Sequence, residues 1–184
     1  MAKYKKYPVI ISVGRLSKEK NFELLIKSFY KFREKFNSKL IILGDGPEKK
    51  NLNELICKLN LSKDCYLTGF VKNPYDYMKL SSVFVLTSHY EGLPNVLIEA
   101  QACEIPIIST DCKYGPKEIL LDGKAGILVP VNNEKELIKA MIKIFTSPGL
   151  KEEFINISKK NLFRFDINES INKYKNIINE TNKI

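Results

Sequence analysis

Two kinds of hydrophobic pattern alternate along this chain almost from end to end. Short apolar runs occupy positions 9–13, rich in β-branched residues and interrupted only by Ser12, and 40–43, 83–86 and 127–129. Between them, apolar residues recur at helical spacing. Phe22, Leu25, Phe29, Phe32 and Phe36 mark one buried face, Leu52, Leu55, Ile56 and Leu59 a second, and Leu137, Ala140, Met141 and Ile144 a third. Residues 65–67 predict another strand, 74–80 a short helix with Pro74 in its first turn, and 96–102 a further helix. A strand is also predicted over 105–108, its first half interrupted by Pro106. Strands that read as continuous apolar runs are those buried on both faces, as in a parallel sheet covered by helices. The pattern therefore predicts one Rossmann-like, doubly wound α/β domain of about six strands spanning 1–184.

The alternation stops near residue 149. Two helical segments follow, 149–161 and 167–178, with no strand after them. The second carries a stripe of Ile167, Ile171, Tyr174 and Ile178, which needs a surface to cover it. That surface is either the core of this domain or another domain.

Composition changes this picture little. The chain has 184 residues, 44% hydrophobic and 28% charged, an ordinary globular balance rather than a disordered one. No apolar run approaches the roughly 20 residues that span a bilayer. The basic N-terminus leads straight into a strand-length run, so it reads as no secretory signal. Cys57, Cys65, Cys103 and Cys112 sit singly beside one histidine, His89, which argues against a zinc site or a disulfide framework and for reduced thiols in the cytoplasm. The formal charge of +9 comes from scattered lysines rather than from basic residues interleaved with aromatics. Solvated helix faces account for it better than nucleic acid does.

Ligands of an open parallel sheet bind in the loops beyond the carboxyl ends of its strands. The first such loop begins Gly14-Arg15-Leu16 and brings Lys20 and Asn21 up to the next helix. Two cations beside a helix start suit a diphosphate, because side-chain charge and free amides act in the same direction. The second loop, Gly44-Asp45-Gly46-Pro47, lacks the third glycine of a dinucleotide fingerprint and reads as a tight turn at a ligand edge. A nicotinamide-dependent oxidoreductase would need that fingerprint intact after the first strand. The loop after 83–86 is richer: Glu91-Gly92-Leu93-Pro94-Asn95-Val96 leads to Glu99, with Pro94 placed as a first-turn proline. On one continuous helix Glu91 and Glu99 would point about 80° apart. With Glu91 in the loop, both carboxylates can converge on one ligand. A buried carboxylate pair with no local cation requires donors, and a sugar supplies hydroxyls.

The stretch 88–102 closely resembles the signature of glycosyltransferase family 4: two glutamates, here Glu91 and Glu99, in the context E-G-x-P-x-x-x-x-E-A. Gly14-Arg15-Leu16 with Lys20-Asn21, Gly44-Asp45-Gly46-Pro47, Gly69-Phe70-Val71, and the stretches 106–110, 115–120 and 122–129 follow the family pattern in the same order. The resemblance covers roughly residues 8–180. It implies the C-terminal, donor-binding half of a two-domain GT-B enzyme that transfers a hexosyl group with retention of configuration, usually without a metal. By that resemblance, Arg15 and Lys20 hold the donor's diphosphate and Glu91 contacts the donor sugar, aided by amides near Gly92 and Leu93. Gly14, with amides near Asn95 and Val96, serves the phosphates, Glu99 the ribose hydroxyls, and the backbone near Val71 the base.

The co-substrate implied is a nucleotide-diphospho-sugar, a UDP-sugar, used to build a cell-envelope polysaccharide or glycolipid. Members of the family carry an N-terminal acceptor domain ahead of this half. The expectation is a chain that binds donor but transfers poorly without that domain, with residues 149–184 as a helical tail reaching toward it. A cytoplasmic location follows, with peripheral contact at the inner face of the membrane. The alternatives are a non-catalytic partner of a separate acceptor domain and one half of a nucleotide-sugar epimerase.

Overall fold

The structure is a computed structural model, and it describes residues 7–181. The basic stretch before Tyr7, read above as no secretory signal, lies outside the described residues. Six parallel strands form one sheet in the order β3-β2-β1-β4-β5-β6. The strands are β1 (Val9–Val13), β2 (Lys39–Leu43), β3 (Cys65–Leu67), β4 (Val83–Leu86), β5 (Ile107–Thr110) and β6 (Ile127–Val129). This is the predicted doubly wound sheet, and its strand order reverses between β1 and β4. That reversal opens a crevice at their carboxyl ends.

The unbroken apolar strands are explained by burial on both faces. Ile10 and Ile11 are neighbours in β1 and point to opposite sides, yet both are fully buried. Ile10 joins a core layer with residues of α1 (Phe22–Arg33), α2 (Lys49–Lys58) and α6 (Glu134–Thr146). Ile11 joins the other, with residues of α3 (Tyr75–Leu80), α4 (Asn95–Ala102) and α5 (Pro116–Ile119). Phe36 lies beyond the end of α1 but keeps its place on the hydrophobic face. Its ring stacks on Phe32 at 4.7 Å between centroids and meets Phe145 of α6 at 6.3 Å.

Three local readings shift. Pro74 and Pro94 each cap the following helix instead of entering its first turn. β5 begins after Pro106, which has no amide to give to a central ladder. The four-residue helix α5 was not predicted, being too short to show periodicity.

At the amino-terminal end of the sheet, Asp64 is 4% exposed and paired with Arg33 and with Lys39 Nζ, the latter at 2.5 Å. This cluster ties α1, β2 and β3 together, well away from the crevice. After α6, α7 (Leu150–Asn161) buries Phe154 against the core. The last helix, α8 (Ile167–Thr181), is exposed along its whole length. Ile167 is 71% and Tyr174 70% exposed, so the stripe does not cover the core of this domain.

Candidate functional site

The crevice between β1 and β4 joins two loops from distant parts of the sequence. On the β1 side the chain passes through Gly14 and Arg15 into a 3-10 turn, Lys18–Lys20, and then Asn21, whose left-handed backbone starts α1. Asn21 Oδ1 accepts the amide of Leu24, which caps the helix. On the β4 side run Thr87 to Pro94. Thr87 Oγ1 donates to the Lys20 carbonyl at 2.9 Å, and the His89 amide donates to the Glu19 carbonyl at 2.8 Å. Thr110 Oγ1, at the end of β5, donates to the Ser88 carbonyl at 2.7 Å.

These ties bring Lys20 and Glu91 into contact. Lys20 Nζ lies 2.5 Å from Glu91 Oε1, with side chains 20% and 10% exposed. Ser88 Oγ donates to the same Oε1 at 2.6 Å. Oε2 has no hydrogen-bond partner among the described residues. The sequence reading set Glu91 beside Glu99 with no cation between them; the structure supplies one, from 71 residues away. The thiol of the nearby buried Cys112 is raised, by burial first and by the Glu91 charge second.

Glu99 lies one turn into α4, half-buried, with no side-chain hydrogen bond or ion pair among the described residues. Arg15 is exposed and likewise without an ion-pair partner. The amides of Gly92 and Leu93 have no protein acceptor among the described residues, and no side chain caps α4. The Asn95 amide differs from the expectation: it already donates to the Leu93 carbonyl at 2.9 Å. Val96 follows, half-buried in the first turn.

Beyond Arg15, the carboxyl ends of β1, β2 and β3 enclose a hollow of about 440 Å³ lined by Val13, Gly14, Gly44, Phe70, Val71 and Pro74, among others. Arg15, Asp45 and Lys72 also line it, but the lining is more apolar than polar, which suits a flat ring. A second hollow of about 420 Å³ is lined by residues of the β1 loop, α1 and α2, with His89 at its edge.

Two glycines shape these loops for reasons the sequence showed only in part. A Cβ on Gly14 would make ordinary contacts, the nearest 3.6 Å away, so nothing in the fold forbids a side chain there. The tight approach is at Gly44, with φ of +143° and a Cβ that would sit 1.9 Å from the Gly14 carbonyl oxygen. Gly115, with φ of +86°, was missed as a site residue. Its Cβ would fall 2.3 Å from Pro94 Cδ and 2.7 Å from the Gly92 carbonyl oxygen. The Gly115-Pro116 dipeptide marks a turn, but not what that turn props up. Among the described residues, no three His, Cys, Asp or Glu side chains gather as a metal cluster.

The Rossmann-like sheet thus sets cations on the β1 loop against a carboxylate on the β4 loop, with open amides beside it, at the switch point where ligands of such sheets bind. Comparison with known proteins narrows the class. Residues 1–161 match the family Glycosyl transferases group 1, and the chain belongs to it. It is 40% identical to an uncharacterised glycosyltransferase of Methanocaldococcus jannaschii, over 94% of this chain and 50% of that protein. It is also 40% identical, over 85% of this chain and 42% of the relative, to a Campylobacter jejuni enzyme, N-acetylgalactosamine-N,N'-diacetylbacillosaminyl-diphospho-undecaprenol 4-alpha-N-acetylgalactosaminyltransferase. Among solved structures, a variant of Staphylococcus aureus TarM in complex with fondaparinux, alpha-GlcNAc-glycerol and UDP superposes with a TM-score of 0.86 at 27% identity, covering 94% of this chain and 36% of that one. The fold is that shared by GT-B glycosyltransferases. The chain spans about half the length of the curated relatives it matches.

Proposed function

We propose that this domain binds a UDP-sugar and presents its anomeric carbon for a retaining transfer to a polysaccharide or glycolipid acceptor. The observation that carries the reading is the meeting of Lys20 and Glu91 at the switch point, with Arg15 and Glu99, in the same two loops and helix, unpaired among the described residues. Arg15 and Lys20 stabilise the charge that develops on the diphosphate as the glycosidic bond to it breaks, a large term where the groups are preorganised. The Gly92 and Leu93 amides aid Glu91 at the sugar, and the amide near Val96 adds a neutral donor to the phosphates. Glu91 orients the sugar through its hydroxyls, Glu99 takes the ribose, and the hollow at Val71 takes the base.

Uracil is favoured by the UDP held in the TarM complex. The two side-chain cations do the charge compensation, so no metal enters the proposal. Acceptor recognition falls to a further domain facing the crevice, and this half transfers weakly without it. The uncovered stripe of α8 supports a tail that reaches toward such a domain. The name of the Campylobacter relative includes a diphospho-undecaprenol acceptor. A lipid-linked acceptor here would hold the protein at the cytoplasmic face of a membrane, where the net charge of +9 favours anionic lipid.

Calorimetric titration with UDP, GDP and ADP, beside Arg15→Ala and Glu99→Ala, tests the reading. Selective binding of UDP, weakened by both substitutions, is expected. Equal affinity for all three, or indifference to both substitutions, would place the nucleotide elsewhere.

A further inference from the structure

Glu91 Oε1 is shared. It accepts Lys20 Nζ at 2.5 Å and Ser88 Oγ at 2.6 Å, while Oε2 accepts nothing among the described residues. Ser88 is fully buried, and its carbonyl is pinned by Thr110 Oγ1 at 2.7 Å. Its hydroxyl therefore approaches Glu91 from a fixed point. Lys20 is a long, one-fifth exposed side chain whose backbone is tied down, its carbonyl by Thr87 and its amide by the Ser17 carbonyl. Beyond Cβ the chain meets no hydrogen-bond partner other than Glu91 among the described residues. The carboxylate thus has one rigid donor and one that can move.

The two ends of this pair have separate duties once a donor is bound. Resting on the donor-binding reading above, Lys20 serves the diphosphate and Glu91 the sugar. A single ammonium cannot neutralise a carboxylate and a diphosphate together. We propose that the Lys20–Glu91 pair is an internal stand-in for the donor: the diphosphate takes Lys20 from Glu91, and Ser88 is the positioning residue that keeps the released carboxylate aimed at the sugar. A Glu91 carboxylate 10% exposed and stripped of its cation is costly unless other donors reach it. Ser88 provides one, and the sugar hydroxyls, arriving at the free Oε2, provide the rest. A nucleoside diphosphate without its sugar supplies none. The pair therefore penalises the by-product relative to the complete donor and favours its release.

The test is a set of UDP titrations on the whole chain, with thermal melts as a folding control. Glu91→Gln removes the internal competitor, so it should bind UDP about three- to tenfold more tightly than wild type. In a Lys20→Ala background the same substitution should gain less than about twofold, since no lysine remains to be freed. Ser88→Ala should weaken UDP by about three- to tenfold when Glu91 is present and by less than about twofold in the Glu91→Gln background. A loss of equal size in both backgrounds would show that Ser88 merely supports the loop. An equal Glu91→Gln gain with and without Lys20 would reduce the effect to plain repulsion, and either result overturns the proposal. Wild type that fails to bind UDP, with an intact melt, overturns the donor-binding reading instead.

Discussion

Gly115 offers a clean perturbation of the site, because a single methyl there acts on a loop it does not belong to. An alanine at this position would put its Cβ 2.3 Å from Pro94 Cδ and 2.7 Å from the Gly92 carbonyl oxygen, where ordinary contact begins at 3.4 Å. The Gly92–Pro94 segment must therefore retreat by about 1 Å, the difference between the first and last of those distances. A misplacement of about 1 Å in a positioning element can cost on the order of 100-fold in catalysis. Gly115→Ala should thus weaken UDP binding at least several-fold, with a larger loss for a UDP-sugar, since Glu91 moves with the loop. The backbone also contributes, because alanine at φ of +86° is strained by roughly 1–3 kcal/mol. Gly123→Ala separates the two effects. Gly123 has nearly the same φ, +88°, but its Cβ would meet nothing closer than the Gly126 carbonyl oxygen at 3.7 Å. Thermal melts and calorimetric titrations of the two variants are the assay. Both should lose stability, and only Gly115→Ala should lose affinity beyond about twofold. Wild-type affinity in Gly115→Ala would refute the reasoning and show that the loop can give way without consequence.

Three further outcomes are expected. Asp64→Asn should destabilise the fold by about 2 kcal/mol, less than a fully buried pair because Arg33 and Lys39 are partly exposed, and should leave UDP affinity unchanged; a melting temperature within 1 °C of wild type, against roughly 4–8 °C expected, would refute it. Burial, and next the neighbouring Asp64 charge, push the Cys65 thiol from 9.0 up to about 12, so the folded chain holds a proton that the unfolded chain releases. Stability contributed by that proton is present below about pH 9 and is lost as pH rises toward 12, so the melting temperature of wild type should fall more steeply over that window than that of Cys65→Ala; parallel curves would argue against it. Finally, EDTA should leave UDP affinity within about twofold, because Arg15 and Lys20 supply the charge compensation that a divalent ion gives elsewhere; a tenfold loss on chelation, restored by magnesium, would point to a metal-bridged diphosphate.

Much of the sheet was legible because its central strands, β1 and β4 above all, are buried on both faces and so appear as apolar runs. The helices over Phe22, Leu52 and Leu137 were equally plain, since packing on one side imposes the 3.6-residue period. What stayed hidden was tertiary. No spacing rule links Lys20 to Glu91, because their contact is made by the order of strands rather than by sequence. Gly115 was passed over for the same reason: the atoms that forbid a side chain there belong to Pro94 and Gly92. Pro94 itself was placed one position too far into its helix, an error within the usual uncertainty of helix ends. The stripe on α8 revealed an amphipathic helix, but a stripe does not say which surface it faces. The candidate site residues were named chiefly through the family signature, with the loop positions as support.

The bonds that tie Thr87 and His89 to the backbone around Glu19 and Lys20 carry a consequence for how these loops can vary. Surface loops commonly accept insertions and deletions with little penalty. Here one added or lost residue on either side would slide the cations past the carboxylate by about 3.3 Å, the advance of a single extended residue. Side chains in both loops can be exchanged within the limits of charge and size, but the number of residues in each cannot drift separately. Changes in length should therefore fall outside these two loops, and α8, which is exposed along its whole length, is where they disturb least.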